Sequence, residues 1–275
     1  MWTRSLLKDN AKRILHVRYW RCLVACLIAA LLGALTTPIP SLAMKLSAAV
    51  SAPHGFSFHY SVDPFMGRYM TPDPFALYAP AFMAVSAVVA VIALIGSAAA
   101  ICVNVFLSSP VKVGLARYMM ENRMGDSPLD TLFSVFRAPY LNVVKGMFLR
   151  NLRIFGWSLL FVIPGIYKSL QYSMVPYLLA ENPYLTPARA RELSRAMTEG
   201  EKMNIFVLGL SFIGWKLLAA IAGGAVTLGL FPAAGEIFLN PYVESTYAEL
   251  YAALRAKAFS MGITDEHELA GFVRH

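Results

Sequence analysis

Long apolar runs alternate with short basic segments along this chain. One apolar run extends from Cys22 to Leu35 and another from Ala79 to Leu107. Roughly 20 apolar residues at a rise of ~1.5 Å each cross the hydrocarbon core of a bilayer. The second run is longer than that and carries no charge. The pattern predicts an all-α, polytopic transmembrane bundle of six membrane helices in one integral membrane domain, residues 1–275, with amphipathic interfacial helices on the cytoplasmic side.

Residues 1–18 read as an amphipathic helix. Leu6, Leu7, Ile14 and Leu15 are placed to face the bilayer, while Lys8, Lys12 and Arg13 meet headgroups. The first membrane helix is expected over 19–36, anchored by Tyr19 and Trp20. Ser41-Leu42-Ala43 offers small residues to a signal peptidase. The basic region before it is long, however, and Pro38 and Pro40 crowd the site, so an uncleaved helix is expected. Residues 37–78 have only Lys45 and Arg68 as basic residues, which marks an outer loop, and their aromatics suit the membrane interface. The second membrane helix, 80–107, returns the chain inside.

Residues 108–150 carry Lys112, Arg117, Arg123, Arg137, Lys145 and Arg150 and read as inner, with amphipathic helices over 108–146. Val113, Leu115, Met119 and Met120 suggest one surface helix. Leu129, Leu132, Phe133 and Phe136, at i, i+3, i+4 and i+7, suggest a second along the membrane. A close pair of helices is expected next, 147–163 and 166–181, turning at Pro164-Gly165. A single span is the rival, and it would invert everything downstream. Residues 183–202 form a charged inner helix that begins near Thr186 or Pro187 and ends at Gly200, with Glu192, Arg195 and Glu199 at pairing distance. A fifth membrane helix over 204–222 is loosened by Gly223-Gly224, and a sixth covers 236–254. Arg255 and Lys257 keep the polar tail, 255–275, inside, and its end from Met261 is expected to fray.

Composition agrees with a membrane protein: 57% hydrophobic and 15% charged residues, with a mean hydropathy of +0.56, against about 25% charged for a soluble domain. The net charge of +8 lies beside the apolar runs. It therefore points to topology and anionic headgroups rather than nucleic acid. Cys22, Cys26 and Cys102 all fall inside apolar runs, where small packing residues are expected. Two thiols without nearby His or carboxylate make a poor metal site.

FGWSLLFVIPG at 155–165 matches IGWKLLAAIAG at 213–223 without a gap at Gly156/Gly214, Trp157/Trp215, Leu159/Leu217, Leu160/Leu218, Ile163/Ile221 and Gly165/Gly223. A Pro-Tyr follows each block, at Pro176-Tyr177 and Pro241-Tyr242. A duplicated hairpin is the simplest reading, with Gly156, Gly214, Gly223 and Gly224 permitting close helix packing. Further blocks stand around these: Ile163-Pro164-Gly165-Ile166-Tyr167-Lys168, then Tyr172-Ser173-Met174, Leu178-Leu179-Ala180-Glu181-Asn182-Pro183, Leu210-Ser211-Phe212-Ile213-Gly214-Trp215, and Tyr247, Ala248 and Tyr251. In this order they resemble the bacterial integral membrane family named domain of unknown function 975, over about residues 110–255. The resemblance implies a multi-helix protein of the bacterial plasma membrane. It brings no established activity and no catalytic residues. The segment 37–78 departs from the family in length and content.

The chemistry-bearing motifs are few. His267-Glu268 lacks the second His of a zinc-protease helix, since Gly271 stands in its place. No phosphate loop and no nucleophile elbow is present. No catalytic residue, cofactor or metal is expected, and an enzyme is not. The residues to watch are Lys168 and Lys216, charges inside apolar runs that either snorkel or face a partner. Glu236 and Glu244 are the carboxylates available to them. Glu181-Asn182-Pro183 marks a change of chain direction, and with Arg189 and Arg195 it is a candidate cytoplasmic docking site. The leading expectation is a non-enzymatic interaction, assembly or envelope-homeostasis factor with both termini inside. It would contact anionic headgroups through its basic inner helices, with a protein partner or a second copy as further contacts. A transporter or permease component for a small solute or lipid is the alternative, and an intramembrane lipid-acting enzyme the third.

Overall fold

The computed structural model describes residues 2–34, 74–137, 139–226 and 234–272. Most of the expected outer loop, 37–78, lies outside these residues. The described residues are helical, without strands: α1 (Arg4–Leu31), α2 (Pro74–Val103), a π-helical turn (Asn104–Ser108), α3 (Ser109–Met124), a 3₁₀ segment (Leu129–Phe136), α4 (Tyr140–Leu160), α5 (Val162–Gln171), α6 (Val175–Glu181), α7 (Pro187–Met197), α8 (Lys202–Val226) and α9 (Ala234–Ser260). The chain divides into two units, Met1–Thr36 with Asn104–His275, and Thr37–Val103.

The second unit holds α2. Val85, Val88, Val91, Ile92, Leu94 and Ile95 are all exposed along it, a surface that water does not tolerate and lipid does. Among the described residues, three helical stretches are long and apolar enough to cross a membrane: Arg4–Leu31, Ala90–Met124 and Lys202–Gly223.

In the first unit the long helices pair antiparallel. The Tyr19 hydroxyl donates to the Phe238 carbonyl and Asn10 donates to Glu249, so α1 runs against α9. The contacts Glu201–Lys257, Phe212–Tyr242 and Ala219–Gly235 are successive rungs between α8 and α9. Between α4 and α5 the rungs are Arg150–Tyr172, Trp157–Lys168 and Ser158–Gly165.

Several expectations change. Residues 4–31 form one helix bent at Arg18 (φ −124°, ψ 18°), near the expected boundary. Of the four apolar residues expected to face the bilayer, Leu7 and Leu15 are buried in the protein core, while Leu6 is exposed. Helix α3 is not a surface helix. Val113, Leu115, Met119 and Met120 are buried, and α3 packs against α1, α4, α6, α9 and the 3₁₀ segment. The second expected amphipathic helix is that 3₁₀ segment. Its three-residue turn brings Leu132 and Val135 onto the buried side and leaves Phe133 and Phe136 exposed.

The hairpin at 140–171 turns at Phe161, whose extended backbone (φ −156°, ψ 150°) separates α4 from α5. Pro164 sits in the first turn of α5, where a missing N–H costs little. Gly165 lies so close to α4 that a Cβ would come within 2.3 Å of Ser158 Oγ. The matching block at 213–223 stays helical throughout α8, which continues to Val226. The repeat is thus one of sequence without a repeated turn. Nothing comes within 4 Å of a Cβ placed at Gly156 or Gly214, so neither permits close packing among the described residues. In α7, Thr186 caps the first turn by accepting from the Arg189 amide, and Glu192 pairs with Arg189 rather than with Arg195. Residues 261–272 do not fray: Leu269 and Phe272 are buried in the core.

Candidate functional site

Glu181, the last residue of α6, is an acidic side chain with 0% exposure. Its Oε2 accepts from the Tyr251 hydroxyl (2.5 Å), and its Oε1 accepts from Arg255 Nε and from the Gly271 amide (both 2.8 Å). Arg255 also donates to the Leu269 carbonyl, and Asn182 donates to that of Glu268. Arg189, on α7, grips the Glu268 carboxylate through Nε (2.7 Å) and Nη2 (3.1 Å), and Thr264 donates to the same carboxylate. The hydrogen bonds to Glu268 raise Arg189 above the usual guanidinium range, and Arg189 in turn holds Glu268 below the usual carboxylate range. The residues put forward as a docking site thus fasten residues 261–272 to α6, α7 and α9. Arg195 stands apart from them, exposed on α7.

The same charged end carries two more cross-links. Arg123 on α3 meets the buried Glu249 of α9 (2.5 Å), to which Asn10 of α1 also donates. Lys257 meets Glu201 (2.8 Å). Burial raises the Glu201 carboxyl, but the hydrogen bonds from Lys257 and Asn204 outweigh it, so the group sits below its usual range. A buried carboxylate without such a partner costs several kcal/mol, so these pairs are conditions of the packing.

Lys168 donates to Gln171 (2.9 Å) and lies over the rings of Trp157 and Tyr172. It is engaged within its own hairpin and faces no carboxylate among the described residues. Lys216 is exposed on α8 and is within electrostatic reach of Glu244. A second cation, Lys112 of α3, reaches the same carboxylate, and Arg150 of α4 reaches Lys112. Tyr177 and Tyr247 also lie within reach of Glu244. Lys112, Arg150 and Glu244 are half-buried. The side chains of Lys112 and Glu244 make no ion pair or hydrogen bond among the described residues. At 1.5 Å per residue from the Arg123–Glu249 pair, Glu244 lies about 7 Å and Lys112 about 16 Å further into the bundle.

Sequence reading treated Lys112 and Arg150 as topology markers and did not weigh Tyr251, Arg255 or Glu268 as site residues. The available signal was local: Lys112 stands among Val111, Val113 and Leu115, a poor surface pattern. The partnership of Glu181 with residues 70 to 90 positions later leaves no trace in spacing.

Residues 132–258 match the model of a family described as a protein of unknown function (DUF975). The matched stretch takes in Glu181, Asn182, Arg189, Glu244, Tyr251 and Arg255, and leaves out Lys112 and Glu268. No curated protein matches the chain, and no solved structure matches it.

Proposed function

We propose that this is a six-crossing protein of the bacterial plasma membrane with both termini cytoplasmic, acting as a non-enzymatic interaction, assembly or envelope-homeostasis factor. The observation that carries the reading is the contrast between paired and unpaired charge at one end of the first unit. There Glu181, Glu201, Glu249 and Glu268 are each tied to a base on another element. Arg153 and Arg195 are exposed without a carboxylate partner among the described residues, and Arg191, close to Arg153, is half-buried. A rigid, net-positive platform of this kind suits anionic headgroups or an acidic partner segment. In the six-crossing reading, α4 and α5 with α6 supply the third and fourth passes, α8 the fifth and α9 the sixth.

A second reading, a transporter or permease component, is favoured by Lys112 and Glu244, which share the interior without pairing. Nothing in the sequence supports a lipid-acting enzyme beyond its place in the membrane.

Thiol labelling of intact cells with an impermeant reagent tests the orientation. Cys22 and Cys26 are buried and only Cys102 is exposed, so a Cys102→Ala background is sufficient. Phe161→Cys at the hairpin tip should label from outside, and Ala188→Cys on α7 and Ser260→Cys on α9 only after permeabilisation. Labelling of Ala188→Cys in intact cells would turn the basic platform outward and end the cytoplasmic-factor reading.

A further inference from the structure

Helices α1 and α8 meet where Lys8 lays its ammonium over the ring of the buried Phe212, 4.7 Å from the centroid. Lys8 also lines an open cavity of about 360 Å³, together with Thr3, Arg4 and Ser5 from the start of α1 and Ser211 of α8. That volume is within the range of small-molecule sites. The two cations are not neutralised from within the protein. The side chains of Arg4 and Lys8 make no ion pair or hydrogen bond among the described residues, and Asp9, the carboxylate beside them in sequence, pairs with Lys12 (3.7 Å). The Phe212 ring attracts the ammonium but brings no net charge to it. The Thr3 and Ser5 hydroxyls share one hydrogen bond (3.2 Å), so one O–H of the two remains to donate. Ser211 gives its hydrogen to the Leu208 carbonyl (2.6 Å). At 1.5 Å per residue it lies about 14 Å from Lys202 along the candidate span Lys202–Gly223. Trp215 and Leu218, at i+4 and i+7 from Ser211, continue the same stripe of α8, and both are exposed.

Unneutralised cations against a membrane helix are costly, and sites that keep them ordinarily use them. A guanidinium and an ammonium with a hydroxyl donor beside them suit phosphate oxygens. An exposed apolar stripe that leads away from those donors suits an acyl chain. We propose that the cavity between the start of α1 and Ser211 binds the phosphate headgroup of an anionic phospholipid, whose chain lies along Trp215 and Leu218. A free phosphate shares the headgroup chemistry but leaves the stripe unused, which favours the lipid. The site is built on other elements than Arg153, Arg191 and Arg195, so it stands or falls apart from the basic platform and its orientation.

The test uses the full chain in nanodiscs of mixed phosphatidylcholine and phosphatidylglycerol, with retained lipid measured by native mass spectrometry. Phosphatidylglycerol should be retained in preference to phosphatidylcholine and should stay bound when inorganic phosphate is added. Arg4→Gln and Lys8→Gln should each weaken retention about tenfold. Arg4 is exposed, so its replacement leaves the packing intact. Ser211→Leu fills the cavity with both charges in place and should weaken retention as well. Lys145→Gln, which removes an equal charge from an exposed position on α4, should leave it unchanged. A loss with Lys145→Gln as large as with Arg4→Gln would reduce the binding to general charge attraction and overturn the site. Equal retention of the two lipids, displacement by inorganic phosphate, or unchanged retention in an Arg4→Gln or Ser211→Leu protein that remains monodisperse and helical would overturn it too.

Discussion

Gly114 shows how closely a single position is determined. It sits on α3 where the 3₁₀ segment crosses, and a Cβ there would lie 1.9 Å from the Leu132 carbonyl oxygen. Backbone cannot yield as a flexible side chain does, so Gly114→Ala must push α3 and the 3₁₀ segment apart. A loss of about 3 kcal/mol is expected, read as a lower thermal midpoint in detergent. Gly156→Ala and Gly214→Ala enter open space and should be neutral, or stabilising by up to ~1 kcal/mol from helix propensity. Glycines in apolar runs look alike in sequence; Gly114, which the sequence did not single out, is pressed against the Leu132 backbone, as Gly235 is against that of Ala219. Glu181 makes the same point. Its position at a chain reversal was legible, but its burial depends on α9 and residues 261–272, which spacing does not reveal.

At the scale of elements, hydropathy located α2 and α8 because their apolar faces are continuous. It misplaced α3, since a helix buried against five neighbours and one lying in a membrane interface share the same residues. The hairpin at Phe161 was anticipated as a reversal, and only its turn moved, because Pro164 is acceptable inside the first helical turn. The 261–272 segment was read as frayed because it is polar, yet its polar groups are the ones that pair. Glu268 sits below its usual range because Arg189 stabilises its ionised form. The pair therefore adds stability fully above the unfolded carboxyl value of about 4.3, and the contribution disappears as pH falls through the lower folded value. Thermal midpoints of the wild type and Glu268→Gln should differ at neutral pH and converge only as the pH falls through the lowered folded value of Glu268. A difference that persists at low pH would place the effect in packing rather than in charge.

For the molecule as a whole, exposure distinguishes two kinds of surface. Val91 on α2 and Leu217 on α8 are exposed apolar residues within candidate spans, and Tyr184 is exposed beside the charged network. Arginine at the centre of a span costs roughly 2.5–3.5 kcal/mol on insertion scales. Val91→Arg and Leu217→Arg should therefore lower the fraction that resists alkaline extraction from membranes, while Tyr184→Arg should leave it unchanged. Glu181 carries a further consequence, one of timing. Tyr251, Arg255 and Gly271 lie 70, 74 and 90 residues beyond it. A ribosome delivers α6 well before any of them, so for that interval the nascent chain holds an unneutralised acid at the end of α6. Arg255 neutralises it when α9 arrives, and the bond from the Gly271 amide forms only once residues 261–271 have followed. A chain that stops after Ser260 therefore keeps the charge pair of Glu181 with Arg255 and lacks the hydrogen bond from Gly271.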